Sequence, residues 1–216
     1  MYDVLLYFQR STLQILRPEE VNVNKDRANA FSGILVFVAF VPYVWAILHH
    51  RTSPSPVSWG IWASVDTLSL ITMKKAAKEK NEPISAGQIT GAVAGAWIIT
   101  VLAILFGKSS MGSVEWITIF IALLGILLWK TTGHALFGLI CAQIATLAGG
   151  IPTAVDAFRN PAQEDPLAWS IWWLSCVFAL IAVKNWREIK DTLQPLVFTI
   201  IETTVVVLIV IRPHLP

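Results

Sequence analysis

PYVWAILHHRTSPSPVSWGIWASVDTLSLITMKK, residues 42–75, and PTAVDAFRNPAQEDPLAWSIWWLSCVFALIAVKN, residues 152–185, are two readings of one pattern. Aligned without a gap at an offset of 110, they agree at eight of 34 positions. Pro42 falls on Pro152, Pro56 on Pro166, Trp59 on Trp169, Ile61 on Ile171, Trp62 on Trp172, Leu70 on Leu180, Ile71 on Ile181 and Lys74 on Lys184. The proline and tryptophan matches are the hardest to obtain by chance. Both copies lie in strongly apolar sequence. An internal repeat in a membrane chain is a transporter signature, because two related bundles can rock about a site at their interface.

The composition sets the setting. The 216 residues are 55% hydrophobic and 14% charged, with a mean hydropathy of +0.63, whereas soluble domains carry about 25% charged residues. A multi-span membrane protein is expected, with the lipid bilayer as its surroundings. A net charge of +2 is too small to imply a nucleic-acid partner. Cys141 and Cys176 fall in apolar segments and suggest neither a disulfide framework nor a metal site. Asp3 and the missing basic leader argue against a cleavable signal peptide.

A span needs roughly 20 apolar residues, and seven are read: 29–48, 57–73, 87–106, 114–129, 133–157, 166–183 and 193–211. Trp116 and Trp129 flank the short fourth span, as suits an interfacial aromatic belt. That span lies outside the repeat. The expected fold is therefore an all-α integral membrane protein of seven transmembrane helices, two three-helix repeats joined by a linker helix (3+1+3). Residues 1–27 form an N-terminal interfacial or tail segment, 28–107 the first repeat, 108–132 the linker and 133–216 the second repeat. An odd linker helix is needed for two three-helix repeats to run parallel. Twelve lysines and arginines fall on the side of the N-terminal tail and four on the other, which places the N-terminus inside and the C-terminus outside. Short loops lean towards a bacterial inner membrane. Within the tail, Tyr2, Leu5, Leu6, Leu13 and Leu16 can make one apolar face of an interfacial helix, which Pro18 would end; a frayed terminus is the alternative.

Two acids stand at span centres, Asp66 in the second and Glu202 in the seventh. A carboxylate there costs roughly 2.5–3.5 kcal/mol on insertion scales and marks ion pathways, proton relays or counter-charges to a substrate. No Lys or Arg lies at the middle of any span, so both acids are candidates to hold a proton or a cation. The plainer role is a hydrogen-bonded strut between helices. Pro42 and Pro152 sit at equivalent places inside the first and fifth spans. Each removes a backbone donor and kinks its helix, so they are candidate hinges, with static curvature as the alternative. Trp59 and Trp169 open their spans as interface anchors. Trp62 and Trp172 lie a turn deeper, beside Trp173, with Trp97 at the centre of the third span. These four can wall a cavity or hold a cation against a ring face, or simply pack. Gly87, Gly91 and Gly95 make a smooth packing face. Thr199, Thr203 and Thr204 surround Glu202 as its candidate partners.

No cofactor, metal or catalytic site is read. His49, His50, His134 and His214 lack zinc-ligand spacing, and no nucleophile elbow, phosphate loop or metalloprotease motif is present. The chain is not expected to be an enzyme.

The segments FVPYVWAILHHRTSPSPVSWGIW and GIPTAVDAFRNPAQEDPLAWSIW resemble the repeats of the superfamily of PQ-loop proteins, SWEET sugar transporters and the KDEL receptor. That repeat has a proline late in its first helix, a short polar loop, then a serine and an aromatic residue opening its second helix. The likeness covers roughly residues 28–211. The glutamine after the family's proline is Tyr43 in one repeat and Thr153 in the other. The third-helix asparagine of sugar-carrying members has no counterpart here, which argues against a sugar. Eukaryotic members are usually described with the N-terminus outside, opposite to the charge count here. The resemblance implies a small-solute carrier with its site between the two bundles, and Asp66 matches the family's habit of placing polar or acidic groups on the second helix.

The function expected is transport of a small polar solute by alternating access, with a cationic or proton-coupled solute as the form the acids suggest. Asp66 and Glu202 would bind the proton or cation, Trp62, Trp97, Trp172 and Trp173 would line the cavity, and Pro42 and Pro152 would be hinges. The alternative is a receptor or assembly factor that binds a peptide or lipid and moves nothing. A channel is weaker, because no span carries a selectivity motif. A homo-oligomer is compatible with either reading.

Overall fold

The computed structural model describes residues 18–52, 54, 56–107, 112–161 and 164–211. Among these it is all-helical. The helices are α1 (Pro18–Leu48), α2 (Pro56–Lys80), α3 (Gly87–Phe106), α4 (Ser113–Thr132), α5 (Ala135–Arg159), α6 (Pro166–Ala182) and α7 (Ile189–Val206), the last running into a π-helical turn, Val207–Ile211. The repeat's second proline starts α2 and α6, where its missing N–H and fixed φ suit the first helical turn. Asp165 caps α6, its carboxylate accepting from the Ala168 amide at 2.8 Å,. Asn81 (φ 51°) and Gly133 (φ 75°) follow α2 and α4 in the left-handed conformation that ends helices. The expected interfacial segment 1–17 lies outside the described residues.

The seven expected segments lie on these seven helices, but α1 starts eleven residues before the expected 29, at Pro18, and α2 runs seven residues past the expected 73, to Lys80. Among the described residues, four stretches are long and apolar enough to cross a membrane: Val23–Leu48, Gly87–Phe106, Ala135–Arg159 and Ile189–Ile211. The apolar runs of α4 and α6 are shorter, Ile119–Thr132 and Pro166–Ala182. The 25-residue α2 has the length but not the hydropathy. Ala63, Val65, Asp66, Ser69, Thr72 and Met73 are all buried against other helices. Its hydroxyls are satisfied within the helix: Ser64, Thr67, Ser69 and Thr72 donate to the carbonyls of Gly60, Ala63, Val65 and Leu68, one turn back. Hydroxyls bonded in this way leave few unsatisfied polar groups to face an apolar surrounding.

The packing follows the repeat. Within the first half, α3 packs against both α1 and α2; within the second, α7 packs against both α5 and α6. The halves meet where α1 lies on α6 and α2 on α5, and α4 packs chiefly on α5. The α1–α3 contact uses the expected glycine face. A Cβ on Gly87 would strike the Asn29 carbonyl, one on Gly91 the Gly33 carbonyl and one on Gly95 the Phe40 ring. The Asn29 side-chain oxygen also accepts from the Gly87 amide at 2.7 Å. Small residues let backbones approach this closely, and van der Waals packing is a main source of helix association in lipid.

Candidate functional site

The polar centre lies where the halves meet. Asp66 on α2 is 4% exposed and Glu202 on α7 is 9% exposed. The two are within electrostatic reach of each other. Among the described residues no cation or hydrogen-bond donor sits on the Asp66 carboxylate, and Glu202 Oε2 is buried without a hydrogen-bond partner. Asp66 and Cys176 stand at equivalent places in the repeat, 110 residues apart, and Glu202 is also within electrostatic reach of Cys176.

Three glutamines complete the centre. The Gln194 amide donates to Gln88 Oε1 at 3.0 Å. The Gln88 amide in turn donates to Ser175 Oγ at 3.0 Å and to Cys176 Sγ at 3.1 Å. From the other side, the Gln143 amide on α5 donates to Ser69 Oγ on α2 at 2.9 Å. Ser69 is one turn from Asp66. These bonds tie α3 to α6 and α7, and α2 to α5. Sequence reading passed over the glutamines because a single Gln in an apolar helix carries no pattern; only their shared burial reveals them.

The centre is covered at both ends. Towards one end, Phe40 and Tyr43 on α1, Trp59 and Trp62 on α2, and Trp169 and Trp172 on α6 form a continuous aromatic cluster. Ring centroids are 5.0 Å apart for Phe40–Trp172, 5.3 Å for Tyr43–Trp59, 5.2 Å for Trp169–Trp172 and 6.1 Å for Trp59–Trp62. The Trp172 indole donates to the Val36 carbonyl at 3.1 Å and that of Trp169 to Glu164 at 2.8 Å. Trp59, half-buried against Phe40 and Tyr43, and Trp169, buried against Trp172, thus pack into the cluster. Pro42 lies between Phe40 and Tyr43, inside α1.

Towards the other end, charged pairs close the halves. Lys80 pairs with Glu188 at 2.7 Å, and Lys190 with Glu82 and, at 3.1 Å, with Glu188. Asp191 accepts from the amides of Ser85 at 2.7 Å, Lys184 at 2.6 Å and Asn185 at 2.9 Å. Lys184 also pairs with Asp26 at 2.7 Å. The cross-half bonds Lys80–Glu188 and Glu82–Lys190 join residues 108 apart, and Ser85–Asp191 and Gln88–Gln194 residues 106 apart, close to the repeat offset. Each residue meets its approximate counterpart. Along α2, Trp59 and Lys80 are about 30 Å apart at 1.5 Å per residue, with Asp66 between them.

The expected site residues divide. The structure brings together Asp66 and Glu202, and joins Trp62 and Trp172 in the aromatic cluster. Trp62 fits beside Gly149 of α5, where a Cβ would lie 2.7 Å from its indole nitrogen. Trp97 and Trp173 stand apart, 44% and 38% exposed on the outer surface; their indoles donate to Thr67 and Thr203 at 3.1 Å. Pro152 lies on α5, its side chain outside the described residues. The threonines do not serve Glu202 through their protons. Thr199 and Thr204 donate to the carbonyls of Pro195 and Ile200, the usual recourse of a mid-helix threonine. Thr199, Thr203 and Thr204 line an open groove of about 520 Å³ on α7 with Ile200, Val207 and Leu208. No group of three His, Cys, Asp or Glu able to hold a metal occurs among the described residues. Compared with known protein families, curated proteins and solved structures, the chain matches none.

Proposed function

We propose that this chain is a carrier that moves a small polar solute by alternating access. In this reading it spans the membrane seven times, as three-helix units 28–107 and 133–216 joined by α4. The N-terminus is cytoplasmic and the membrane is a bacterial inner membrane. The observation that carries the proposal is a pair of buried acids between the halves, covered at one end by aromatic rings and at the other by ion pairs. The contacts of α3 with α1 and α2, and of α7 with α5 and α6, support the three-helix units. The resemblance to PQ-loop and SWEET repeats is of the same kind.

The chemistry follows from the two covers. Parting the ion pairs opens the centre to the basic side; parting the rings opens it to the other. Pro42, inside α1 at the ring cluster, is the natural place for that helix to bend. Asp66 and Glu202 exchange a proton or cation with whichever side is open, which couples solute movement to charge.

The test is a proteoliposome assay with a pH dye inside and a panel of amines, amino acids and sugars outside. Wild type is expected to show solute-dependent proton movement, and Asp66→Asn, equal in volume and uncharged, to lose it while remaining monodisperse. A folded Asp66→Asn protein that couples normally removes proton coupling at Asp66. Wild type that moves no solute, yet retains a co-purifying peptide or lipid, shifts the reading to a receptor or assembly factor.

A further inference from the structure

The lysines of the basic side divide into two groups. Lys80, Lys184 and Lys190, at the junction of the halves, are each paired with an acid. Lys74, Lys75, Lys78 and Lys130 are exposed, and among the described residues none of them is in a salt bridge. Of the acids that follow them on the chain, Glu79 is exposed and Glu82 is taken up by Lys190. The four free lysines sit at the mouth of a crevice. α3 and α4 both touch α2 but share no extended contact with each other. A tryptophan ties each to α2: the Trp97 indole donates to Thr67 Oγ1 at 3.1 Å, and the Lys75 ammonium lies 4.9 Å from the centre of the Trp129 ring. At 3.6 residues per turn, Thr67 and Lys75 lie about 80° apart around α2, and Ile71 and Lys78 fall between them. Lys74 adjoins this arc. Ile71 is 49% exposed, an apolar floor one turn below the lysines. Around α4, Gly125 faces Cys141 of α5, and Ile126 and Trp129 pack on the cluster of Val65 and Leu68 with Ala142 and Ala145. Lys130 and the exposed Leu123 come next, on the side of α4 turned away from α5, as the helical period requires.

The crevice is cationic at its mouth, apolar below and open at the side. We infer that it holds an anionic phospholipid, the phosphate among the four lysines and one acyl chain running over Ile71 and Leu123 towards Trp97. From Lys75 to Thr67 is about 12 Å along α2, a distance an acyl chain covers. Clustered lysines just beyond the end of a membrane span attract anionic headgroups, and their stems can lie on apolar surface while the charge stays at the interface. Trp129 stands at the depth where interfacial aromatics collect. A zwitterionic lipid would bring its own ammonium against the lysines. A second copy of this chain, docked about a two-fold axis, would set the same lysines against one another. A soluble anion would leave Ile71 uncovered. The inference needs a bilayer around the protein and does not rest on transport.

The test is native mass spectrometry of the purified full-length protein in detergent, titrated with dioleoylphosphatidylglycerol, dioleoylphosphatidylcholine and glycerol phosphate. Phosphatidylglycerol is expected to form a one-to-one adduct at least about tenfold tighter than phosphatidylcholine, and Lys74→Gln, Lys75→Gln and Lys78→Gln combined to remove that preference. Arg51→Gln, the same kind of change at the other end of α2, is expected to leave it. Ile71→Trp fills the floor without altering charge and is expected to weaken phosphatidylglycerol at least about threefold. Thermal unfolding establishes that the variants fold; if the triple variant does not, Ile71→Trp and the wild-type lipid panel decide. Equal retention of the two lipids by the wild type, or a folded triple variant that keeps the wild-type preference, overturns the inference. Displacement of the lipid by glycerol phosphate overturns it in favour of a soluble anion. A dimer in place of the adduct, lost in Ile71→Trp, overturns it in favour of a second copy.

Discussion

At the residue scale, the glycines give a sharp test. Gly87→Ala places a Cβ against the Asn29 backbone and is expected to cost about 1–3 kcal/mol. Gly60→Ala meets only Thr100 Cγ2, at 3.7 Å, and is expected to be neutral or to stabilise by up to about 1 kcal/mol. Thermal unfolding in detergent, followed by tryptophan fluorescence, should move in opposite directions for the two or fall only for the first. Equal losses would remove the close α1–α3 contact. Among the polar residues, the acids were legible in the sequence and the glutamines were not. Asp66 and Glu202 stand out because a charge at a span centre breaks the apolar run, and breaking it is costly enough to need a reason. Gln88, Gln143 and Gln194 break the run less and have no fixed spacing. Their importance depends on three-dimensional neighbours such as Ser69 and Ser175. The tryptophans show the complementary limit. Depth along a helix was readable, but which face meets a neighbour was not, so Trp172 packs within the core while Trp97 and Trp173 lie outside it.

At the element scale, the repeat in the sequence located helix starts better than helix quality. Pro56 and Pro166 mark the first turns of α2 and α6 because proline's fixed φ and missing N–H suit the first helical turn. The low hydropathy of α2 was hidden behind its tryptophans, and only the structure shows its hydroxyls bonded one turn back. The hairpins α2–α3 and α6–α7 meet through ion pairs that no local pattern announces, since the partners are 108 residues apart. A charge exchange tests this junction. Glu82→Lys and Lys190→Glu are each expected to destabilise the protein, and the double variant to recover part of the loss. The interaction energy from the double-mutant cycle is expected at about 0.5–3 kcal/mol. Strict additivity of the two losses would show that the pair carries no coupling.

At the scale of the whole molecule, the alternation of helix ends places Lys78 and Arg51 at opposite ends of α2, both exposed. With Cys141 and Cys176 buried, single introduced cysteines report orientation. A membrane-impermeant maleimide applied to spheroplasts is expected to label Arg51→Cys at once and Lys78→Cys only after permeabilisation. The reverse order would place the N-terminus outside. The charged junction also bears on how the chain chooses its own halves during synthesis. In the 108-residue register of these bonds, the facing residues carry opposite signs: Lys80 faces Glu188, and Glu82 faces Lys190. Were two copies of the first half to dock in the same manner, lysine would face lysine and glutamate would face glutamate; two copies of the second half would repel likewise. Like charges so placed disfavour a wrong partner. Halves that share a pattern yet differ in sign at this junction would thereby assemble within one chain, and mispairing between neighbouring nascent chains in a crowded membrane would be discouraged.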